Sequence, residues 1–246
     1  MNEILCRQLA LDYCCTEKDV ADGKNHFSIY YPAEGRRVYD NDDDTLLKAA
    51  VVGGKILFSG KPAIIDWCRE KYSKTEGEWF FEPGAIRELE SRLNDDGAMI
   101  KMLHPFYIAE NITPVAIGNY SINWYEGSKI ERFRGDNRWN EALAFKAQAP
   151  DILAVTAERG DEILGMAGAS MDSLHMWQIG INVVDVYRGQ GIATALVSLL
   201  KNEILSRGIL PFYGTAFSHL ASQRVALGSG FVPAWVEMSS QAIKKV

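Results

Sequence analysis

The sequence has few of the features that mark a membrane, nucleic-acid-binding or exported protein. Its 26 Lys and Arg residues are outnumbered by 32 Asp and Glu, and the net charge of −6 favours neither nucleic acid nor an anionic membrane as a partner. No apolar run is long enough to span a bilayer. The first residues, MNEILCRQLALDYCC, lack the basic and apolar regions of a signal peptide. We therefore expect a cytoplasmic protein.

Cysteine is also scarce, and the arrangement of the four cysteines excludes most of their special roles. Cys6, Cys14, Cys15 and Cys68 show no metal-ligand spacing, and an adjacent pair rarely belongs to a disulfide framework. We interpret them as reduced thiols and place the first three on one N-terminal helix. The acidic run at residues 40–44 is interpreted as a solvated loop, and no metal site is predicted.

What the sequence does have is ordinary globular composition, with 47% hydrophobic and 24% charged residues. Its 246 residues allow one large domain or two small ones. In the first half, LLKAAVVGGKILFSG predicts either a helix end or a strand pair around Gly53 and Gly54. Pro62 and Pro83 suit the first turns of two helices, and a strand through Ile100 follows. These elements predict a smaller α/β domain at residues 1–110.

The second half contains a stretch with a clearer meaning, INVVDVYRGQGIATALVSLLKNEILSRG. Residues 177–186 are rich in Ile and Val, which is typical of a buried strand. After the glycines, apolar residues recur every three or four positions and predict an amphipathic helix: Ile192, Leu196, Leu199, Leu200 and Ile204. Arg207 and Gly208 are typical of the end of such a helix.

The turn between this strand and this helix reads RGQGIA, residues 188–193. Glycines let the backbone approach a ligand closely, and the first N–H groups of a helix have no partner within it. Such a turn favours a phosphate or pyrophosphate. A nucleotide-triphosphate loop would need Lys followed by Ser or Thr, and a dinucleotide loop would need a third glycine, so both of these alternatives are excluded.

The flanking segments predict further alternation of strand and helix. After the amphipathic helix, residues 211–217 predict a short strand and Ser218 a helix N-cap. That second helix ends at Gly228 or Gly230, and residues 231–237 predict a last strand.

Together these motifs resemble the GNAT superfamily of CoA-dependent N-acetyltransferases. The RGQGIA run is similar to the acyl-CoA pyrophosphate loop of that superfamily, and residues 218–231 are similar to its second CoA-contacting helix and the Gly-Phe turn after it. Upstream, DILAVTAERGDEILGMAGAS resembles the antiparallel hairpin that precedes the CoA strand, with its turn at residues 159–161. The sequence of the C-terminal half resembles a bacterial branch with an added N-terminal region. The resemblance implies an α/β fold with a mixed sheet, in which residues 118–246 form the GNAT-like domain.

The resemblance also implies a cofactor, acetyl-CoA, and a set of residues that bind it. The superfamily holds the acyl arm on backbone groups of its central strand, which parts from a neighbouring strand. The implied contacts are Ile181, Asn182 and Val183 on the strand, Arg188, Gly189, Gln190, Gly191, Ile192, Ala193 and Thr194 at the loop, and Ser218 and Ser222 on the second helix. The guanidinium of Arg188 either pairs with a phosphate or lies at the surface while neighbouring N–H groups bind.

Proton transfer is less well specified by the sequence. Many members use a tyrosine of the second CoA helix as acid to the departing thiolate, and here that position is near Ala226. Ser218, His219 and Tyr213 are the candidate substitutes. His219 also replaces an asparagine that often contacts the pantetheine arm. The candidates for base are His175, Gln178 acting through a water, Asp172 and Glu126.

The segment NWYEGSKIERFRGDNRWNEALAF is expected to form the substrate wall as two helices, with a capping box from Ser128 to Glu131. The candidate substrate residues are Trp124, Glu126, Asp136 and Trp139. Asp136 and Glu141 would attract a cationic amine, although a solvated helix face explains both equally well.

Two classes of function follow. The first is an N-acetyltransferase that moves an acetyl group to the primary amine of a small molecule, by direct attack in a ternary complex. The second is a non-catalytic regulatory module that binds CoA or acyl-CoA. A third interpretation, transfer to a protein, requires an open acidic groove. The N-terminal region is expected to cap the acceptor pocket, to form a homodimer interface or to be a decayed copy of the fold.

Overall fold

The computed structural model describes residues 1–37 and 45–243 of the 246-residue chain. The acidic run at residues 40–44 lies outside these residues. The chain divides into two units, which are described separately. Unit 1 contains Met1–Phe106 and Ala234–Val246, and unit 2 contains Tyr107–Pro233. Both contain helices and a mixed sheet, so the predicted α/β class with a mixed sheet is confirmed.

Unit 1 has its strands in the order β1, β3, β2, β10 and β4. Its elements are α1 (Glu3–Asp12), α2 (Glu17–Ala21), β1 (His26–Ile29), β2 (Leu47–Val52), β3 (Lys55–Gly60), α3 (Pro62–Tyr72), α4 (Pro83–Asp95), most of β4 (Ala98–Ile108) and most of β10 (Val232–Ala242). Between the two expectations for the Gly53 region, the strand pair is correct. Pro62 and Pro83 are the first residues of their helices, as predicted, because proline has no N–H to leave unpaired there.

The N-terminal helix is shorter than expected. It ends at Asp12, with the cap at Tyr13, so Cys14 and Cys15 follow the helix and only Cys6 lies within it. Cys14 has a φ of 53°, a left-handed conformation that is incompatible with a continuing helix. The prediction of three cysteines on one helix is therefore wrong.

Most of the last strand is in unit 1. In β10, Val236 pairs with Val51 of β2 and Ser239 pairs with Lys48, in an antiparallel ladder. A buried ion-pair network adds to this, since the Arg37 guanidinium lies 2.5 Å from Asp12 and 2.6 Å from Glu237. Breaking such a network would leave buried charges uncompensated, so it holds the strand to this unit.

Unit 2 has its strands in the order β9, β8, β7, β6 and β5. Its elements are β5 (Ser121–Glu126), β6 (Asp151–Arg159), β7 (Glu162–Met171), β8 (Met176–Val183), α5 (Ile192–Ser206), β9 (Leu210–Gly214) and α6 (Leu220–Gly228). The predicted hairpin is confirmed, with Arg159 opposite Glu162 across the turn. The end of α5 is also as predicted, since Gly208 follows it at a φ of 75°.

The two faces of the unit 2 sheet carry different cores. On one face, α5 packs Ile192, Leu196 and Leu200 against strand residues that include Trp177 and Ile179. On the other face, residues 127–145 form a wall. The wall cluster consists of Ile130, Phe133, Trp139, Ala142, Leu143, Ala154 and Met166. The wall contains two short 3₁₀ segments, Gly127–Phe133 and Asn137–Trp139, so the two predicted α-helices are wrong.

The wall approaches the sheet most closely at two glycines that lie opposite each other on β7 and β8. Gly168 pairs with Gly180 in the antiparallel ladder. A Cβ on Gly168 would lie 2.0 Å from the Ala142 carbonyl oxygen, and a Cβ on Gly180 would lie 1.8 Å from that of Glu141. Only glycine permits this approach, because a side chain at either position would push the wall away.

No helix within residues 1–37 and 45–243 is both long enough and apolar enough to cross a bilayer.

We expect Gly168→Ala to lower the free energy of unfolding by about 2 kcal/mol, because the methyl group would collide with backbone rather than with a flexible side chain. Gly228→Ala is the control within unit 2, since its Cβ would meet only the Thr194 side chain, at 3.4 Å. Urea unfolding of both variants measures the difference. Equal stability of the two would show that the wall is not held by this contact.

Candidate active site

The centre of the site is the point at which β8 and β9 part. β8 pairs with β7 from Trp177 to Val183. Its parallel register with β9 runs from Met176 and Leu210 only to Gln178 and Phe212. Beyond Gln178, the backbone groups on that edge of β8 are therefore available to a ligand. Ile181, Asn182 and Val183, the residues that we expected on the acyl arm, lie on this open part of the strand.

The glycine loop continues from the open strand into α5. Gly189 and Gly191 have φ values of 76° and 79°, which other residues rarely adopt, and a Cβ on either would enter open space. Gly191 is the N-cap of α5 and offers no side chain to the helix. The first helical bond runs from the Ala195 N–H to the Gly191 carbonyl at 3.0 Å, so three N–H groups precede it. These features fit the diphosphate of CoA.

Arg188 lies beside this loop with its side chain 69% exposed. Its Nη2 atom lies 2.8 Å from a carboxylate oxygen of Asp185, and its Nε donates to the Val183 carbonyl at 3.3 Å. Asp185 therefore competes with a phosphate for this guanidinium. Gln190 donates to the Val186 carbonyl at 3.3 Å, which ties the loop to the turn before it.

A groove of about 560 Å³ lies next to the loop in unit 2. Its lining residues come from residues 114–118, from Tyr120, from α5 and from the end of α6. Gln190, Gly191 and Thr194 belong to both the loop and the groove. A ligand with its diphosphate on the loop therefore has room for an adjoining group in the groove.

Tyr213 is the first β9 residue beyond the paired register, and it is buried. Its hydroxyl lies 2.9 Å from the Ser222 hydroxyl of α6. Burial raises the pKa of Tyr213, and the charge of Glu141 adds to the increase, while the bond to Ser222 opposes it. The phenol is therefore neutral at physiological pH and able to donate a proton. Ala226 is fully buried in the α5 core, so that position contributes no polar group.

The other candidates for acid lie at the start of α6. This helix begins at Leu220 with His219 at the N-cap, and His219 makes no side-chain cap bond. The prediction that Ser218 caps the helix is therefore wrong. Ser218 and His219 are both exposed.

Three of the candidates for base lie near the start of β8 or in the turn before it. His175 precedes the strand, and its carbonyl accepts from the Leu210 N–H. Six residues of strand separate it from Ile181, roughly 20 Å at 3.3 Å per residue. Gln178 lies where β8 and β9 part. Asp172 is buried and accepts from the Ser170 hydroxyl at 2.7 Å.

The predicted substrate residues do not gather at the open strand. Trp124 and Glu126 lie on β5, three strands from β8 and roughly 14 Å away at 4.8 Å per strand. The Glu126 carboxylate accepts from Arg207 at 2.6 Å, which lowers the pKa of Glu126. Asp136 is held by Arg138, which lowers the pKa of Asp136. Trp139 is 1% exposed and supports the wall from within its core.

Sequence reasoning missed the contact that joins the wall to β8. The Asn182 side-chain oxygen accepts from the N–H groups of Glu141 and Ala142, at 3.0 and 2.8 Å. This bond and the approach at Gly180 fix Glu141 over the open part of the strand. A glycine within a strand is itself a sign of close backbone approach, so Gly168 and Gly180 were the available signal.

Among the described residues, one group has the geometry of a metal site, Asp19, Asp22 and His26 in unit 1, whose ligand atoms lie within 4.8 Å of one another. Its members are already engaged. Asp19 completes a capping box with Thr16, and His26 bonds to Asp22 at 2.9 Å. The Lys55 ammonium donates to the Asp22 carbonyl, and its positive charge disfavours a cation there. We assign no metal to this group.

The comparisons with known proteins agree with the loop and the open strand. The model of the acetyltransferase (GNAT) family matches residues 119–231. These residues form a GNAT acetyltransferase domain. The protein is thus an acyltransferase, and acetyl-CoA is the cofactor that GNAT enzymes use. No curated protein matches the chain.

Solved structures similar to the chain include other GNAT proteins. A GCN5-related N-acetyltransferase-like protein from Streptococcus suis is 12% identical, with a TM-score of 0.49 over 85% of this chain and 89% of its own. A GNAT acetyltransferase from Colwellia psychrerythraea is 14% identical, with a TM-score of 0.46 over 84% of each chain. A GNAT protein from Novosphingobium aromaticivorans is 15% identical, with a TM-score of 0.45 over 61% of this chain and 69% of its own. Likenesses this distant carry no functional argument.

We expect Gly191→Ala to weaken CoA binding by the GNAT domain at least about tenfold, because a side chain there strains the loop and enters the space of the diphosphate. Gly208→Ala is the matched control, since Gly208 has a φ of 75°, faces open space and lies at the other end of α5. Each variant should lose about 1–2 kcal/mol of stability from the same backbone strain. Calorimetric titration of CoA measures the affinity, and an equal loss of affinity in both would contradict the loop assignment.

Proposed function

We propose that this GNAT domain transfers the acetyl group of acetyl-CoA to the primary amine of a small molecule, by direct attack of the amine within a ternary complex. The observation that carries the proposal is the open edge of β8 beyond Gln178, which leads directly into the glycine loop. The main chain of Glu141 lies against Gly180 and Asn182 in this part of the strand, and its carboxylate favours a cationic acceptor. When bound, acetyl-CoA supplies an activated acyl carbon on a thiol leaving group.

In this proposal the backbone holds the donor. The N–H groups of residues 192–194 bind the diphosphate, with Arg188 available beside them. The backbone groups of Ile181 and Val183, which face the open edge, align the acyl arm by hydrogen bonds, and their N–H groups stabilise negative charge on the carbonyl oxygen. The main chain of Asn182 faces β7, and its side chain holds the wall. This explains how ordinary Ile and Val side chains occupy a reactive site: their side chains pack against the α5 core while their main chain faces the ligand.

Tyr213 is the proposed acid to the departing sulfur. Its hydroxyl is oriented by Ser222 at 2.9 Å, and it is the first side chain of β9 beyond the paired register. Because burial raises its pKa, the hydroxyl keeps its proton through mildly alkaline pH. This phenol would take the role that many members of the superfamily give to a tyrosine on the second CoA helix.

The second candidate function is a non-catalytic module that binds CoA or acyl-CoA. The observation that favours it is Ala226, which is fully buried at the position near which the usual tyrosine would lie. Both functions need the glycine loop, so only turnover separates them.

The deciding experiment is calorimetric titration of acetyl-CoA and of CoA, followed by a thiol-release assay. The acceptor panel would contain spermidine, lysine, glucosamine, an aminoglycoside and a lysine-containing peptide. Release with a small amine supports the proposal, and release with the peptide alone would favour a protein substrate. Binding without release from any acceptor would favour the non-catalytic module, and absence of binding would contradict both functions.

We expect Tyr213→Phe to lower kcat by about 10²-fold or more with little change in CoA affinity, because an acid in the transition state contributes a factor of that order. Tyr107→Phe is the control, a second buried tyrosine of unit 2. Since the pKa of Tyr213 is raised, the ratio of wild-type to variant kcat should be constant from about pH 7 to pH 9. An unchanged kcat in Tyr213→Phe would contradict the role of acid, and a ratio that falls steadily over this range would contradict the raised pKa.

Several sequence expectations stay predictions beside this proposal. They are the two domains at residues 1–110 and 118–246, the cytoplasmic location and the homodimer. Their tests are limited proteolysis, cell fractionation and sedimentation, respectively.

A further inference from the structure

Glu141 is held over the open part of β8 by its own main chain. Its N–H donates to the Asn182 side-chain oxygen at 3.0 Å, and its carbonyl lies against Gly180, so close that no Cβ fits there. Its neighbours Ala142 and Leu143 are buried in the wall core. The backbone of Glu141 therefore cannot move without breaking the wall, whereas its side chain is exposed.

The carboxylate of Glu141 differs from the other acidic groups of the wall. Glu131 is bound bidentately by Arg134, at 2.7 and 2.8 Å, and Asp136 is bound by Arg138 at 2.6 Å. In the part of the chain that the structure describes, Glu141 makes no salt bridge. A carboxylate on a fixed backbone with no cation beside it can bind an incoming ammonium group.

Burial raises the pKa of Tyr213, the proposed acid, and the negative charge of Glu141 adds to that increase. Gly180, which its carbonyl contacts, is only two residues beyond Gln178, the last residue of β8 that pairs with β9. An acyl group on the open strand would therefore have Tyr213 near its sulfur and Glu141 near the approaching nucleophile.

We infer that Glu141 is the catalytic residue of the acceptor side, which binds the ammonium group of the substrate and accepts its proton. The ammonium group first gives one proton to the Glu141 carboxylate, which passes it to solvent, so that the nitrogen gains a lone pair. That lone pair attacks the thioester carbon, so a C–N bond forms and the C–S bond breaks. The nitrogen loses its second proton to Glu141 as the amide forms, and the sulfur gains one from the Tyr213 hydroxyl. Exchange with solvent restores both groups, with a net release of one proton. The products are an amide and a free thiol, with no redox change.

This inference rests on the proposed function and names its substrate class, a cationic primary amine. The test compares Glu141→Gln with Glu131→Gln, the same substitution at an exposed, Arg-bound carboxylate of the same wall. For the best amine of the panel, Glu141→Gln should lower kcat/KM by about 10²-fold or more. The Glu131→Gln variant should stay within about twofold of wild type, because its carboxylate is already engaged by Arg134.

Two further readouts separate this role from a structural one. Calorimetric titration of the amine into protein saturated with CoA should show weaker amine binding for Glu141→Gln, while the affinity for CoA stays unchanged. The Glu141→Gln substitution should lower the rate of acetyl transfer to hydroxylamine much less than the rate of transfer to the cationic amine. Hydroxylamine is neutral at pH 7, so it needs neither an anionic partner nor prior deprotonation.

The outcomes distinguish the inference from the function on which it rests. If wild type transfers acetyl to an amine and Glu141→Gln does so within about twofold, the inference fails and the proposed function stands. If Glu141→Gln loses CoA affinity as well, the residue supports the fold rather than the acceptor, and the inference fails. If wild type releases no thiol with any acceptor, both fail together.

Discussion

The site depends on the limited length of the contact between β8 and β9. A strand with neighbours on both edges has no hydrogen bonds left for a ligand, because every main-chain group is already paired. β8 loses its second neighbour after Gln178 while β7 continues to support it as far as Val183. The open edge is therefore both rigid and unpaired. That combination allows a flexible acyl arm to be held in one geometry by backbone alone.

The two faces of this strand make different contacts. On the α5 face, Ile181 and Val183 pack against the core. On the wall face, Gly180 and Asn182 accept the backbone of residues 141 and 142. The alternation of side chains along a strand separates packing from recognition. Glu141, the proposed acceptor-side residue, thus lies on the face of β8 opposite to the face that packs against α5.

The local elements that follow from short-range chemistry were predictable. The glycine loop, the length of α5, the hairpin at residues 159–161 and the two proline-started helices depend on neighbours a few residues apart. The predictions that failed depend on partners far along the chain. Residues 127–139 contain a good capping pattern, but packing of Ile130, Phe133 and Trp139 onto the sheet is satisfied by 3₁₀ turns. The position of β10 also depends on a distant partner, since Glu237 meets Arg37, 200 residues earlier.

The sequence by itself determined the glycine loop and the helix that follows it, because positive φ values and unpaired N–H groups are properties of a few adjacent residues. It also determined that glycines stand at positions 168 and 180. Only the tertiary structure decided what those glycines accommodate, where β9 leaves β8, and which hydroxyl faces Tyr213. These features arise from contacts between segments that lie far apart in the chain, and a local pattern carries no information about the distance between such segments.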